Sequence, residues 1–264
     1  MVFENITQAK KLTKLSYIGM VNNSAKHEKA YKYNEMVYTI YLAPAASSGY
    51  EVCPGSTHEC RQACLAQSGR NIMDEGRETI NGSRIKKTKL FFEEREFLVR
   101  WIYEEIKAAK KKADRTGYRF SVRLNNTSDI SPEDFWITDH YLSTGHPIEA
   151  IGAYKKNLLE LFPDIQFYDY TKVPSRIELL KKYPNYDLTF SFNGYNEILC
   201  KSLLARHIRV AVVFNVVPEE FWGHEVINGN DYDMRYLDPE TVIIGLPYKK
   251  VRNQLDINNK FVIQ

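Results

Sequence analysis

The sequence predicts an α/β protein, a partial or closed (β/α) barrel with mostly parallel strands. Three observations carry this. Short runs rich in β-branched and aromatic residues alternate with helical stripes, as parallel strands joined by helical crossovers require. One run, Ile208–Asn215 (IRVAVVFN), is almost continuously apolar, as expected of a strand covered on both faces. Three of the four cysteines follow directly on the first strong strand, where α/β folds place their chemistry. A doubly wound open sheet is the alternative. The chain has no glycine-rich phosphate loop of either common type, which counts against dinucleotide-binding and P-loop enzymes.

Residues 1–36 read as a polar lead-in with a short helix or hairpin. Its lysines, among them Lys10, Lys11 and Lys14, suit a solvated face. The barrel domain is expected over 37–250, starting with the strand Val37–Ala43 (VYTIYLA) and stopped by Pro44. From about Ile80 to Arg115 the pattern is helical. Phe91, Leu98, Ile102 and Ile106 form one stripe, basic residues crowd the last turns, and Gly117 is the stop. The strand Tyr118–Leu124 leads into NNTSDIS, and a helix is expected over Pro147–Phe162. Strands Ile165–Thr171 and Asp187–Phe192 then alternate with helices Ser175–Tyr183 and Tyr195–His207, before the apolar strand Ile208–Asn215. Residues 218–241 lose the rhythm, Val242–Leu246 reads as one more strand, and 251–264 form a polar tail.

With 264 residues and 44% apolar content, the chain can bury a sizeable core. A net charge of +3 argues for neither a nucleic-acid nor a membrane surface, although nucleic acid is not excluded. No apolar run reaches the length of a membrane span, and MVFENITQAKKLTKL has no signal-type apolar core. A reducing cytoplasm is the expected setting. Nothing in the sequence gives the oligomeric state.

The richest stretch is CPGSTHECRQAC, with Cys53, Cys60 and Cys64 in twelve residues. Thiolates are soft ligands suited to iron–sulfur clusters, zinc or cuprous copper. Cys60 and Cys64 are four apart, on one face of a helix, and Pro54-Gly55 suits a turn that brings Cys53 back to them. The leading reading is a four-iron, four-sulfur cluster on three thiolates, with the fourth iron open to a small molecule, water or a nearby side chain; Cys200 is the candidate fourth protein ligand, but its apolar helical setting predicts a buried, inert thiol. A zinc site with His58 or Cys200 as fourth ligand lacks the paired C-x2-C spacing. Small buried hydrophobes or one redox pair are the third reading. A disulfide framework fits neither the length nor the cysteine count.

If the strands are parallel, polar residues at their carboxyl ends converge on this loop. These are Arg123, Asn125, Ser128 and Asp129; then Asp169, Tyr170 and Lys172; then Ser191, Asn193 and Asn215. They are the candidate ligand-binding set, with helix capping or loop satisfaction as the competing role for each. Asp231, Asp233 and Asp238 do not match a calcium loop, and Arg235 between them suggests a structural turn with internal ion pairing.

The segments CPGSTHECRQACLAQSGR, RLNNTSDIS, FYDYTK, NYDLTFS, VAVVFN and DYDMRYLDPETVIIGL together resemble the phage-encoded gene product eighty-eight family. They run in order through most of residues 50–246. The resemblance implies a phage origin, hence the cytoplasm of an infected bacterial host, and it implies no particular reaction. Asp187 stands where the family pattern has histidine, and Asn228 and Asn230 where it tends to have aspartate. The strand-then-cysteines layout also resembles the radical SAM enzymes. That likeness implies a TIM-type or radical SAM-type barrel whose open iron binds S-adenosylmethionine. The spacing here is six then three, where that family has three then two, and its glycine-glycine-acidic motif is missing. The expectation is an iron–sulfur protein with radical-SAM-like or redox activity. The alternatives are a zinc-stabilised module binding nucleic acid or a host protein, and a simple electron carrier.

Overall fold

The computed structural model describes residues 1–22, 25–67, 74–147, 154–249 and 259–264. Its strands are β1 (Gly19–Val21), β2 (Glu35–Ile40), β3 (Arg119–Arg123), β4 (Trp136–Thr138), β5 (Lys155–Asn157), β6 (Gln166–Thr171), β7 (Tyr186–Ser191), β8 (Val210–Phe214), β9 (Glu220–Phe221), β10 (His224–Asn228), β11 (Ile243–Pro247) and β12 (Val262–Ile263). Ten of these form one sheet in the order β1-β2-β3-β6-β7-β8-β11-β10-β9, with β12 added beside β8, and β4 and β5 pair apart as a hairpin.

From β2 to β10 every neighbour is parallel; β1 and β9 are antiparallel caps at the two edges. Successive strands β2, β3, β6, β7 and β8 are laid down in one direction, without the central reversal that defines a doubly wound sheet. Among the described residues no pairing joins β1 to β9, so the sheet is an open path and no closed barrel is formed by them. What holds is a mixed α/β fold around a largely parallel sheet.

The residues explain the layers. In β2, Met36, Tyr38 and Ile40 enter the main core, while Val37 packs on the opposite face with Tyr168 and Met234. The helix Arg95–Thr116 buries Phe97, Leu98, Trp101, Ile102 and Ile106 on the main-core side. It ends at Gly117, whose φ of 75° is left-handed, as expected of the stop. The first segment joins this core through Phe3, Ala9, Leu15 and Ile18. Its backbone is tied down by Glu105, which accepts from the N–H groups of Ile18 and Gly19 and from the Tyr38 hydroxyl.

Several expected elements are corrected. The single helix over 80–115 is two helices, Asp74–Glu93 and Arg95–Thr116, parted at Glu94. The helix expected over Pro147–Phe162 is only Leu158–Leu161, preceded by β5; residues 148–153 lie outside the described residues. Asn157 starts it late through a capping box with Glu160. The segment 218–241 contains β9 and β10, and β10 pairs in parallel with β11. Of the expected tail, 251–258 lie outside the described residues, and Val262–Ile263 form β12.

The face opposite the main core carries buried charge. Asp233 is fully buried, and its Oδ2 accepts from Arg123 Nη1 at 2.6 Å and the Tyr168 hydroxyl at 3.1 Å, with His27 Nε2 3.0 Å away. Arg235 pairs with Asp238 at 3.1 Å. The internal pairing expected of this turn therefore holds for Asp238, while Asp233 reaches across to β3 and β6. Removing one partner of a buried pair leaves an uncompensated charge. Asp233→Ala is expected to destabilise the fold by about 3–5 kcal/mol, measured by urea unfolding. A loss below about 1 kcal/mol, the range of a surface pair, would show that the network does not bear on stability.

Candidate functional site

The carboxyl ends of β2, β3, β6, β7, β8 and β11 surround a cavity of about 470 Å3. Cys53, Cys60 and Cys64 all line it, and all three are half-buried free thiols. Of the strand-end residues expected from sequence, Arg123, Asn125, Ser128, Asp129, Tyr170, Lys172 and Ser191 line the same cavity. Asn193 and Asn215 do not. Asn215 is exposed, and its N–H donates to Ile263 in β12. Asp169 is buried and spends its carboxylate on Asn125.

The cysteine loop is built from local rules. Ser56 N–H donates to the Cys53 carbonyl at 3.0 Å, closing the turn through Pro54 and Gly55. Thr57 caps the helix His58–Gln62 by accepting from Cys60 N–H, and its hydroxyl donates to the Asn193 carbonyl at 2.8 Å. Asn193 thus acts on the loop rather than in the cavity. A side chain at Gly55 would put its Cβ 2.7 Å from the Lys172 backbone carbonyl carbon and oxygen. Glycine is required there because two backbones touch.

Asp129 ties the same region together. Its carboxylate accepts from Thr171 Oγ1 and Lys172 N–H, each at 2.7 Å, and from Arg176. Its N–H donates to the Val52 carbonyl, one residue before Cys53. Asn125 bonds Asp169, Ser128 and the Ile130 backbone. Asn125, Ser128 and Asp129 thus satisfy and shape a loop while lining the cavity. That loop still matters to the thiols, because the Thr127 carbonyl accepts from the Cys53 thiol at 3.7 Å.

Burial pushes the Cys53 thiol up from 9.0 to about 12, against a hydrogen bond from Ala45 N–H and with a contribution from neighbouring Cys64. Burial also raises Cys64, and neighbouring Cys60 adds to the rise. For Lys172, burial works against the charge, but Cys60, Asp129, Cys53 and Cys64 together raise it. One ammonium thus acts on all three thiols. A second cation, Arg84, is 8% exposed on the helix Asp74–Glu93 and also lines the cavity. Arg84, His27 and Tyr41 are cavity residues that sequence reasoning missed. The signal for Arg84 was its place three and seven residues before Lys87 and Phe91, on the buried stripe of its helix.

The two fourth ligands considered for zinc lie in different surroundings. His58 is exposed, and Cys200 is fully buried in the main core, with burial pushing its thiol up to about 12. Among the described residues no group of three His, Cys, Asp or Glu side chains is placed so as to hold one metal ion. No helix among them is long and apolar enough to cross a membrane.

Fold and site together define an α/β protein with a largely parallel sheet, whose strand ends enclose a cavity lined by three thiols and by Arg84, Arg123, Lys172 and Lys249. The chain belongs to the Gene product 88 family, whose model matches residues 4–262. No curated protein and no solved structure matches it.

Two outcomes follow. Gly55→Ala must push the cysteine loop off Lys172; a loss of about 1–3 kcal/mol is expected, with faster alkylation of Cys53 by iodoacetamide. Unchanged stability and labelling would refute the contact. The Cys53 thiol is raised on folding, so the unfolded chain loses its proton first as pH rises. In metal-free protein its contribution is intact below pH 9.0 and declines towards about 12, which urea titrations of wild type and Cys53→Ser would compare.

Proposed function

We propose that Cys53, Cys60 and Cys64 hold a four-iron, four-sulfur cluster with one iron open to the cavity, in a phage protein working in the host cytoplasm. The observation that carries this reading is that all three thiols line one cavity and share one ammonium, Lys172, as electrostatic neighbour. Thiolates suit such a cluster. Three of them bring negative charge into a half-buried place, and Lys172 and Arg84 offset it. A cluster takes its thiolates on separate irons, so it does not need three sulfurs crowded round a single ion.

Bound there, the group would supply a Lewis-acidic iron or a single electron; the chain's own residues do the rest. The Cys53 and Cys64 thiols must lose their protons on loading, so metal uptake is expected to strengthen with pH. Asn125, Ser128 and Asp129 hold the wall that positions Cys53. Arg123 lies over the Tyr170 ring, 4.8 Å from its centroid, and closes the β3–β6 side of the cavity. A partial (β/α) barrel of the radical SAM type is the finer fold that fits the one-way strand order. S-adenosylmethionine is the small molecule that this reading nominates for the open iron.

Anaerobic purification after iron and sulfide loading provides the test. A brown protein with matching iron and acid-labile sulfide is expected, with colour lost in Cys53→Ser, Cys60→Ser and Cys64→Ser but kept in Cys200→Ser. A colourless protein with stoichiometric zinc would replace this reading with a zinc-stabilised module for nucleic acid or a host protein. An intact cluster that does not bind S-adenosylmethionine would remove the radical chemistry and leave the metal site. Reversible reduction with no ligand at the cluster would define an electron carrier.

A further inference from the structure

We propose that the cavity binds a small organic anion, a carboxylate or phosphate monoester with an apolar body, and that Arg84 recognises its charged group. This goes beyond the cluster and does not depend on it. A guanidinium that is 8% exposed needs a counter-charge, because an isolated buried ion is costly. Arg84 makes no ion pair among the described residues, and its Nη1 has no hydrogen-bond partner there. Its guanidinium carbon lies 5.4 Å from the Tyr41 ring centroid, which supports one face, while Nη1 is left without a partner among the described residues.

The described carboxylates nearby are spent. Asp129, which lines the cavity, is taken up by Thr171, Lys172 N–H and Arg176. Asp233 is taken up by Arg123, Tyr168 and His27. Lys172 adds a second positive charge to the wall, and no carboxylate pairs with its ammonium within salt-bridge distance among the described residues. The remainder of the wall is mainly apolar, with Phe192, Val213, Leu246 and Phe261 facing the same space. At about 470 Å3 the volume is in the range of small-molecule pockets. Cations without a salt-bridge carboxylate among the described residues, set beside apolar walls, specify an amphipathic anion rather than a bare ion or a cation.

The probes are phenyl phosphate and phenylacetate, with phenylacetamide as the neutral counterpart, titrated calorimetrically into the full chain. At least one anion is expected to bind and the amide not to. Arg84→Met should weaken the anion roughly ten- to hundred-fold, the worth of a hydrogen bond to a charged group. It should hold or raise the thermal midpoint, since a buried charge is replaced by an apolar side chain of similar reach. If Arg84→Met does not fold, Arg84→Gln supplies the same comparison. The triple variant Cys53→Ser, Cys60→Ser, Cys64→Ser should still bind the anion. Binding of neither anion, equal binding of the amide, an Arg84 variant with wild-type affinity, or loss of binding in the triple variant would each overturn the proposal. A wild type that takes up no iron would refute the cluster while leaving this result intact.

Discussion

The Asp129 carboxylate is the constraint on which the mouth of the sheet depends. A buried carboxylate is tolerable only when donors surround it. Here the donors come from three places along the chain after β3: the Thr171 side chain, the Lys172 backbone and Arg176. The Asp129 N–H reaches back to Val52, at the start of the cysteine loop. One residue thus ties the ends of β2, β3 and β6 to each other. The same Lys172 backbone is the surface against which Gly55 is packed. The thiols are therefore placed by backbone contacts and a carboxylate, before any metal is considered.

Such an arrangement separates support from chemistry. Asn125, Ser128 and Asp129 lie at the cavity, yet their polar atoms face one another and the loop backbone. Asn193 likewise grips the loop from behind, through the Thr57 hydroxyl and the Gly55 carbonyl. What is left to meet a ligand is the set without internal carboxylate partners: the three thiols, Lys172 and Arg84. A second network, centred on Asp233 on the face opposite the main core, ties together Arg123, Tyr168 and His27.

The parallel order was legible because its signal is local: apolar strands such as Val210–Phe214 sit between helical stripes. The thiol cavity was legible for a related reason, since parallel strands bring their carboxyl ends together. Other features carried no usable local signal. Phe91 and Leu98 are seven residues apart, two helical turns, so the stripe stays in phase across the break at Glu94 and hides it. Leu158, Leu159 and Leu161 look like the end of a long helix, but Asn157 and Glu160 cap a short one, and that capping box could have been read. His27 and Asp233 meet across 206 residues of chain, and nothing near either announces the other. Arg84 was lost among Lys86, Lys87 and Lys89, although helical spacing separates the buried pair, Arg84 and Lys87, from the exposed one.

Donor spacing and charge lead the proposed chemistry to the same place. A single tetrahedral zinc needs sulfurs roughly 4 Å apart, given its Zn–S bonds of about 2.3 Å, and no three-donor group of that kind stands among the described residues. Cys53, Cys60 and Cys64 do line one cavity and share Lys172 as a common electrostatic neighbour. The proposed cluster would concentrate negative charge where an ammonium already lies. Arg84 then has a role that the thiolates need not exhaust. It comes from a different helix, its Nη1 lacks a partner among the described residues, and it lines the volume that an open coordination position would share with a ligand. A centre on one wall and a cation on another would fix both ends of a small anion, which is how a cavity orients a molecule rather than merely holding it.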